Sequence, residues 1–267
     1  MDPVMKLSQK VALITGASSG IGRCVSLRFA SDKCKIVIIG RSADKLNEVK
    51  ELSKNLGADV LAIQADLTND DEVRSLFSKT LESFGRIDVV FNNAGIGYVN
   101  PIVNLKEEEI HKMIDTNITA MIMVTKYAAE QMKKQENGGH ILITSSIAGL
   151  IPVPQWSVYC STKWAITGFA ESIRYELAKS KVLVTTIHPG PVKTDFFIRG
   201  NISPEKLSIQ NNMTNPEDVA EAVYKILFTN KKRVIIPKYF TWVSRLYKFF
   251  PNAFDLISKK YVKSNLY

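Results

Sequence analysis

Short apolar runs alternate with longer amphipathic stretches along most of the chain. The runs are rich in β-branched residues and interrupted by few polar positions, which is typical of strands buried on both faces of a parallel sheet. Seven such strands are predicted, at residues 11–15, 35–40, 60–65, 87–92, 140–145, 182–188 and 233–237.

Between the strands, apolar residues recur with helical spacing and predict helices near 20–31, 42–55, 69–84, 106–134, 155–179 and 215–229. Several of these stretches begin with a capping signal, such as Ser42 before ADKLNEVK and Asn215 before a proline. Alternating strands and helices predict βαβ units with helices on both faces of one sheet. The expected fold class is therefore α/β, a doubly wound, Rossmann-like parallel sheet of seven strands flanked by helices.

The chain of 267 residues, 45% hydrophobic and 23% charged, is long enough for one large domain. We expect a Rossmann-like domain over residues 1–237 and a basic, aromatic and helical extension over 238–267. The chain contains neither an apolar run long enough to cross a membrane nor the apolar core of a secretory signal, so a cytoplasmic protein is expected. Three cysteines without a CxxC pair and three scattered histidines indicate neither a disulfide framework nor a metal site.

The net charge of +9 is concentrated at the C-terminal end. Residues 231–267 contain nine Lys or Arg and one acid, Asp255, which leaves residues 1–230 with a net charge of +1. A nucleic-acid-binding protein would carry its basic face on the fold itself, so no nucleic-acid partner is expected.

The same C-terminal segment holds nine of the 24 aromatic residues. Basic side chains interleaved with aromatic ones are typical of a helix that lies at a membrane surface, which predicts possible peripheral membrane contact. If 239–250 is helical, Phe240, Val243, Tyr247 and Phe250 share one stripe. The alternatives for this stripe are a cap over a substrate cleft and a contact between subunits.

The first predicted strand ends in TGASSGIG and is followed directly by a helix. Gly16, Gly20 and Gly22 permit a tight bend and let the amides of the helix N-terminus approach a pyrophosphate. The strand before and the helix after favour a dinucleotide site over a glycine-rich turn without a ligand.

The end of the second strand bears on cofactor preference. Rossmann domains that prefer NAD usually carry an acid there, whereas those that prefer NADP offer an arginine to the 2′-phosphate. This chain has Gly40, Arg41 and Ser42 at that point. A cation at a helix start opposes the helix dipole unless an anion is present. The pattern favours NADP(H), with NAD(H) as the alternative.

Polar side chains and small residues follow the later strands. Asp66 could accept a hydrogen bond from an adenine amino group or cap the next helix. The small step Ala94-Gly95, within NNAG, would let the backbone lie flat beside a cofactor. In the stretch SVYCSTKWA, Tyr159 and Lys163 share one helix face at spacing i, i+4.

The sequence resembles the short-chain dehydrogenase/reductase family from about residue 8 to about residue 237. The resemblance rests on motifs in the family's order: TGASSGIG, Asp66, NNAG, Asn117, Ser146, YCSTK and HPGPVKT. It implies an enzyme that transfers a hydride between a nicotinamide cofactor and a ketone/secondary alcohol pair.

The resemblance also implies four catalytic residues. Tyr159 matches the family's acid/base and Lys163 its partner, while Ser146 matches the serine that orients the substrate, with Ser145 as the alternative. Asn117 matches the asparagine that holds a water in a proton relay. A phenol with a pKa of about 10 is a poor acid/base near neutrality. We therefore expect the Lys163 ammonium, together with the positive nicotinamide ring of an oxidised cofactor, to lower the pKa of Tyr159.

The cofactor site implied by the resemblance combines the glycine-rich turn, the end of the second strand and the later motifs. Pro189, Gly190, Val192 and Thr194 match the loop that positions the nicotinamide carboxamide. The predicted set, which includes no metal ligand, is Gly16, Ser18, Ser19, Gly20, Ile21, Gly22, Arg41, Ser42, Asp66, Leu67, Asn93, Ala94, Gly95, Tyr159, Lys163, Pro189, Gly190, Val192 and Thr194.

Two loops after the predicted catalytic serine are rich in bulky apolar residues: Leu150, Ile151, Val153, Trp156, Phe196, Phe197 and Ile198. They favour a lipophilic carbonyl substrate, or else they close the core or a subunit interface. The alternatives to an NADP(H) enzyme are the same chemistry with NAD(H), a cofactor-binding protein without turnover, and a membrane-recruited interaction protein. The resemblance implies a homodimer or homotetramer.

Overall fold

The computed structural model of the protein describes residues 7–200, 213–252 and 254–255. Within these ranges the chain forms seven β-strands and nine α-helices, joined by turns and short 3₁₀ segments. In chain order they are β1 (Val11–Thr15), α1 (Gly20–Ala30), β2 (Lys35–Gly40), α2 (Ala43–Asn55), β3 (Asp59–Gln64), α3 (Asp70–Phe84), β4 (Val89–Asn92), α4 (Glu107–Ile114), α5 (Ala120–Lys134), β5 (Gly139–Thr144), α6 (Ser157–Glu176), β6 (Val182–Pro189), α7 (Phe196–Arg199), α8 (Pro216–Ile226), β7 (Arg233–Ile236) and α9 (Phe240–Phe249).

All seven strands lie in one parallel sheet with the order β3-β2-β1-β4-β5-β6-β7. The chain builds outward from β1 to β3 on one side and then returns to place β4 on the other side of β1. This reversal opens a crevice at the carboxyl ends of β1 and β4, where doubly wound sheets bind ligands. The predicted single-domain, Rossmann-like fold is confirmed.

Successive side chains of β1 enter two different cores. Leu13 packs in the cluster that contains side chains of α3, α5 and α6, whereas Ile14 packs in the cluster that contains side chains of α1, α2 and α8. Both residues are fully buried. Because helices cover both faces of the sheet, neither face requires polar residues, which accounts for the uninterrupted apolar runs in the sequence.

Two of the capping signals in the sequence are formed: the Ser42 hydroxyl accepts the N–H of Lys45 at the start of α2, and the Asn69 side chain accepts two backbone N–H groups at the start of α3. The cap predicted at Asn215 is not formed, because this side chain accepts no N–H of α8, although a proline does occupy the first turn. At α1, Ser19 also makes no side-chain cap, and the first turn contains no acid. The first N–H groups of α1 are therefore free of side-chain partners among the described residues.

The predicted helix over 106–134 is interrupted by a single π-helical turn, Asp115–Thr119. The turn lies between α4 and α5 and inserts one residue into the helical repeat, which a hydrophobic period does not reveal. The short helix α7 was also not predicted. Both features adjoin the carboxyl edge of the sheet.

The predicted helix in the C-terminal extension is present as α9. The predicted stripe on it requires correction, because Phe240, Val243 and Tyr247 are half-buried whereas Phe250 is 60% exposed. The division of the chain at residues 237 and 238 stays a prediction. In the described part of the chain, no helix is long and apolar enough to cross a membrane.

Gly138, directly before β5, packs closely against the backbone of Lys181, and a comparison with Gly85 tests this packing. Gly138 (φ +62°) and Gly85 (φ +74°) both carry the conformation that disfavours a side chain. A Cβ at Gly138 would lie 2.0 Å from the carbonyl oxygen of Lys181, whereas a Cβ at Gly85 would have no neighbour within 4 Å. Gly85→Ala is expected to lower the free energy of unfolding by about 1 kcal/mol through backbone strain alone.

Gly138→Ala should cost at least about 2 kcal/mol more than Gly85→Ala, because the added methyl group collides with a backbone atom. Urea unfolding followed by circular dichroism measures both free energies. Equal losses for the two variants would contradict the close approach of Gly138 to Lys181.

Candidate active site

A cavity of about 800 Å³ opens at the carboxyl edge of the sheet. All of the residues predicted for the catalytic and cofactor-binding sets line it except Gly22 and Asn117. Residues far apart in the sequence therefore meet in one space, because the carboxyl ends of β1, β2, β4, β5 and β6 all lead into it.

The glycine-rich turn after β1 needs glycine for steric reasons. Gly16 and Gly20 have φ values of +66° and +55°. A Cβ at Gly22 would lie 2.2 Å from the carbonyl oxygen of Gly16, so the turn folds directly onto α1. The first turn of α1 thus points its free N–H groups at the cavity, an arrangement that suits a phosphate.

Thr15, which sequence reasoning did not select, ties this turn to the NNAG segment. Its hydroxyl accepts the N–H groups of Asn93 at 2.9 Å and Ala94 at 3.0 Å, and the Asn93 amide donates to the Thr15 carbonyl oxygen at 3.2 Å. The ends of β1 and β4 are therefore held at a fixed separation. The one feature of the sequence that could have identified Thr15 is its position directly before Gly16.

At the end of β2, Arg41 is exposed and Ser42 caps α2. Lys45, in the first turn of α2, lines the same end of the cavity and was not predicted. Asp66 does not cap α3, since it instead accepts the backbone and hydroxyl hydrogens of Thr68. These hydrogen bonds, together with the charge of Arg41, lower the pKa of Asp66.

Tyr159 and Lys163 project from α6 into the cavity and are both buried. The Lys163 Nζ lies 5.6 Å from the centroid of the Tyr159 ring and donates to the Thr144 carbonyl oxygen at 3.2 Å. Burial raises the pKa of Tyr159, with a hydrogen bond from Ser146 acting in the opposite direction, and burial lowers the pKa of Lys163 to about 8. The protein's own groups therefore do not lower the pKa of the phenol, because burial outweighs the hydrogen bond from Ser146. The part of the expected lowering that was assigned to an oxidised nicotinamide ring stays a prediction.

The two candidate serines have different surroundings. Ser145 is buried, and its hydroxyl donates to the Lys163 carbonyl oxygen at 3.0 Å. Ser146 is half-buried, and its Oγ accepts the Ala148 N–H at 3.1 Å and lies 3.4 Å from the Pro189 carbonyl oxygen. The Ser145 hydroxyl is thus used on the backbone of α6, whereas Ser146 is the serine whose side chain lowers the pKa of Tyr159, which favours Ser146 over Ser145.

His188, at the end of β6, fixes the backbone of Ser146. Its Nδ1 lies 3.0 Å from the Ser146 carbonyl oxygen. A carbonyl oxygen only accepts, so Nδ1 carries the proton and donates. Burial lowers the pKa of His188 to about 3, which keeps the ring neutral. Sequence reasoning missed this role, and its one signal was the position directly before Pro189.

Asn117 lies on the π-helical turn and is fully buried. Its amide nitrogen donates to the Ile96 carbonyl oxygen at 2.8 Å and to the Thr162 hydroxyl at 3.1 Å, while its amide oxygen accepts the Ile96 N–H at 2.8 Å. Both amide donors are thus used to hold the segment after β4 against α6. The role of Asn117 in a water relay stays a prediction.

An aromatic wall closes the side of the cavity next to Tyr159. Trp156 and Phe196 lie with their ring centroids 5.3 and 5.6 Å from that of Tyr159, and Phe197 contacts both of them. Ile151 and Val153 also line the cavity. Of the other apolar loop residues, Ile198 is 64% exposed and Leu150 lies outside the lining.

Phe240, the first residue of α9, completes the lining. A Cβ at Gly190 would lie 2.4 Å from its ring, so the glycine makes room for this side chain. The C-terminal extension therefore contributes a side chain to the cavity. This agrees with one of the alternatives given for its predicted stripe, a cap over a substrate cleft.

A sequence model of the family described as short chain dehydrogenase matches residues 10–205, well over half of the chain. The chain is a short-chain dehydrogenase. This dehydrogenase is 37% identical over 202 residues to a 3-oxoacyl-[acyl-carrier-protein] reductase from Synechocystis sp., covering 74% of this chain and 80% of that relative. It is therefore an oxidoreductase enzyme, as predicted.

Solved structures of similar dehydrogenases contain either cofactor. An alcohol dehydrogenase from the archaeon Thermococcus sibiricus, complexed with 5-hydroxy-NADP, is 31% identical with a TM-score of 0.77, covering 85% of this chain and 95% of that one. A 3-ketoacyl-(acyl-carrier-protein) reductase from Brucella melitensis, complexed with NADH, is 27% identical with a TM-score of 0.76, covering 85% and 96%. The similarity therefore does not distinguish NADP from NAD.

The lowered pKa of Lys163 predicts how stability depends on pH. Unfolding returns this lysine to an ordinary pKa of about 10.4, so between about pH 8 and 10.4 the unfolded chain binds more protons than the folded one. The buried ammonium therefore destabilises the fold below pH 8, and the loss disappears as the pH rises. Lys163→Met should raise the free energy of unfolding by about 3 kcal/mol at pH 7 and by much less at pH 10.5.

Urea unfolding of wild type and variant at the two pH values measures this difference. Lys133→Met, at an exposed position on α5, is the control and should change stability similarly at both pH values. A gain for Lys163→Met that does not depend on pH would contradict a buried ammonium.

Proposed function

We propose that this dehydrogenase transfers a hydride between NADP(H) and a ketone/secondary alcohol pair, with a lipophilic carbonyl compound as the substrate. The observation that carries the proposal is that Ser146, Tyr159 and Lys163 meet in one cavity that also reaches the glycine-rich turn and Arg41. A phosphate-binding turn at one end and a proton donor at an apolar end suit a dinucleotide-dependent redox reaction.

The residues present fit a nicotinamide dinucleotide. The turn at Gly16 and Gly20 leaves no side chain between the backbone and a pyrophosphate, and the uncapped start of α1 provides N–H donors. Gly95 keeps the space beside Lys163 open, because a Cβ there would lie 3.5 Å from the Lys163 Nζ. When bound, the cofactor supplies the hydride for a carbonyl or accepts the one that leaves an alcohol.

Tyr159 is the proposed proton donor in the reducing direction. Because burial raises its pKa, the phenol is protonated at neutral pH and holds a proton for the alkoxide oxygen. Ser146 offers a second, neutral donor to the same substrate oxygen, where negative charge develops in the transition state. In the oxidising direction Tyr159 must first lose its own proton, and its phenolate then accepts the proton of the alcohol while Ser146 keeps its hydrogen bond to the substrate oxygen.

Lys163 has two proposed tasks. Among the described residues its Nζ uses one of three donors, on the Thr144 carbonyl oxygen, which leaves two for the hydroxyl groups of a ribose. With a pKa of about 8 it is mostly charged at pH 7, and it favours the phenolate as Tyr159 loses its proton. Asn117 is proposed as a positioning residue that holds Ile96, and proton return through a water at Asn117 is part of the same proposal.

The preference for NADP(H) rests on charge at the end of β2. Arg41 and Lys45 both line this end of the cavity, together with Ser42, and Gly40 stands where an acid would hold the ribose of NAD. Arg41 offers a bidentate contact to a 2′-phosphate and Lys45 a point charge.

The substrate class follows from the wall beside the proton donor. Trp156, Phe196 and Phe197 offer ring faces and edges next to Tyr159. The relative from Synechocystis is named a reductase of a 3-oxoacyl group, which is itself a carbonyl on an apolar chain. Both observations support a lipophilic ketone, whereas a cytoplasmic location and a homodimer or homotetramer remain predictions from the sequence.

Tyr159→Phe tests the reaction. Loss of the hydroxyl removes the proton donor and is expected to lower kcat at least about 1000-fold, while NADPH binding is retained. NADPH oxidation with ketosteroids, long-chain 3-keto lipids, quinones and small diketones identifies a substrate first, and NADPH fluorescence then measures binding. Tyr98→Phe is the matched control, because Tyr98 also lines the cavity and should keep kcat within a few-fold. A Tyr159→Phe enzyme with wild-type turnover would refute the assignment.

Arg41→Asp tests the cofactor preference. The exchange removes a phosphate ligand and adds repulsion, so the ratio of kcat/KM for NADPH to that for NADH should fall at least about 100-fold. Lys45→Gln should lower the ratio by a smaller factor, and Lys50→Gln, on α2 but outside the cavity, should leave it unchanged. An unchanged ratio in Arg41→Asp would show that the preference has another source.

A further inference from the structure

α9 presents two apolar sides with the same helical spacing. Phe240, Val243 and Tyr247 are half-buried, and Phe240 lines the cavity. A second side, rotated by about 100° from the first, carries Tyr239, Trp242, Leu246 and Phe249, again at intervals of three, four and three residues. We call these four residues the aromatic face.

The aromatic face is open to solvent. Tyr239 is 50% exposed, Trp242 71%, Leu246 48% and Phe249 71%. Phe250, directly after the helix, is 60% exposed. Isolated apolar side chains on a surface are ordinary, but five large ones within twelve residues are typical of an interaction site.

The charges that α9 and its flanking residues carry are all of one sign. Lys238, Arg245 and Lys248 are exposed, residues 238–252 contain no acid, and the first acid after the helix is Asp255. The Arg245 guanidinium lies 5.5 Å from the centroid of the Trp242 ring, so charge and aromatic surface are adjacent. A two-fold contact between two copies would bring like charges together, which disfavours a second copy as the occupant.

We propose that α9 docks the protein on a membrane surface that contains anionic lipids. The aromatic face would lie at the boundary between head groups and acyl chains, and the three cations would lie over the phosphates. Because Phe240 of the same helix lines the cavity, docking would bring the wall of the cavity next to the lipid. The inference uses a side of α9 next to the stripe predicted from the sequence, about 100° around the helix, and it does not depend on the proposed reaction.

Co-sedimentation of the full chain with vesicles tests the proposal. Binding is expected to phosphatidylcholine vesicles that contain about 30% phosphatidylserine, to weaken at high salt, and to be much weaker with phosphatidylcholine alone. Trp242→Ser/Phe249→Ser should weaken binding to the anionic vesicles at least about tenfold. Arg245→Gln/Lys248→Gln should weaken it about 20-fold, since each cation contributes about a factor of five.

Two matched double variants serve as controls that distinguish vesicle binding through the aromatic face from nonspecific binding by other parts of the surface. Tyr175→Ser/Val103→Ser removes two apolar side chains that are 83% and 86% exposed elsewhere on the surface. Lys133→Gln/Lys134→Gln removes two exposed cations at the end of α5. Both pairs should bind vesicles like the wild type.

A second measurement keeps the test independent of folding defects. Lipids with brominated acyl chains should quench Trp242 fluorescence, and Trp242→Phe should bind vesicles normally while losing most of that quenching. Equal pelleting of the aromatic-face, cationic and wild-type proteins would overturn the proposal. So would aromatic-face substitutions that change the oligomeric mass in analytical ultracentrifugation but leave vesicle binding intact, because the occupant would then be a second copy.

Discussion

Burial of the parallel sheet on both faces is the constraint on which the rest of the structure depends. With helices covering each face, side chains such as Leu13 and Ile14 are apolar, and a polar side chain within the sheet, such as Thr185 against His140, needs a buried partner. The polar groups that line the cavity lie at the strand ends, where the chain leaves the sheet and glycines and short polar residues are tolerated. The cavity therefore forms where the chain segments after β1 and β4 leave the sheet, and the hydrogen bonds of Thr15 to Asn93 and Ala94 set the distance between those two strand ends.

The same burial determines the electrostatics of the site. Tyr159 and Lys163 lie on one side of α6 in a buried space, so the neutral forms of both are favoured: burial raises the pKa of the phenol and lowers the pKa of the ammonium. The two pKa values therefore move apart, which keeps the proton on Tyr159 at neutral pH. The buried residues Asn117 and His188 support this pair indirectly, because each uses its side chain to hold a backbone segment that lines the cavity.

Sequence patterns predicted what depends on local composition and missed what depends on packing. The strands followed from continuous apolar runs, and α2 and α3 from their caps. The π-helical turn at Asn117 was not predicted, because one inserted residue hardly changes the hydrophobic period of a helix. The position of Lys45 in the cavity lining was not predicted either, because it depends on the direction in which α2 leaves β2. On α9 two stripes share one spacing, so the sequence could not tell which of them, Phe240 or Trp242, would face the protein.

α9 connects the apolar cavity with the surface of the molecule. Gly190 leaves room for Phe240, which anchors the start of the helix against the loop after β6, and this contact fixes which side of the helix remains outside. The exposed side then holds Trp242 and Phe249 in the solvent, where large rings gain nothing by folding. A lipophilic substrate concentrates in lipid rather than in water. A helix with one side in the wall of the cavity and the other suited to a membrane would let such a substrate reach Tyr159 by a short path.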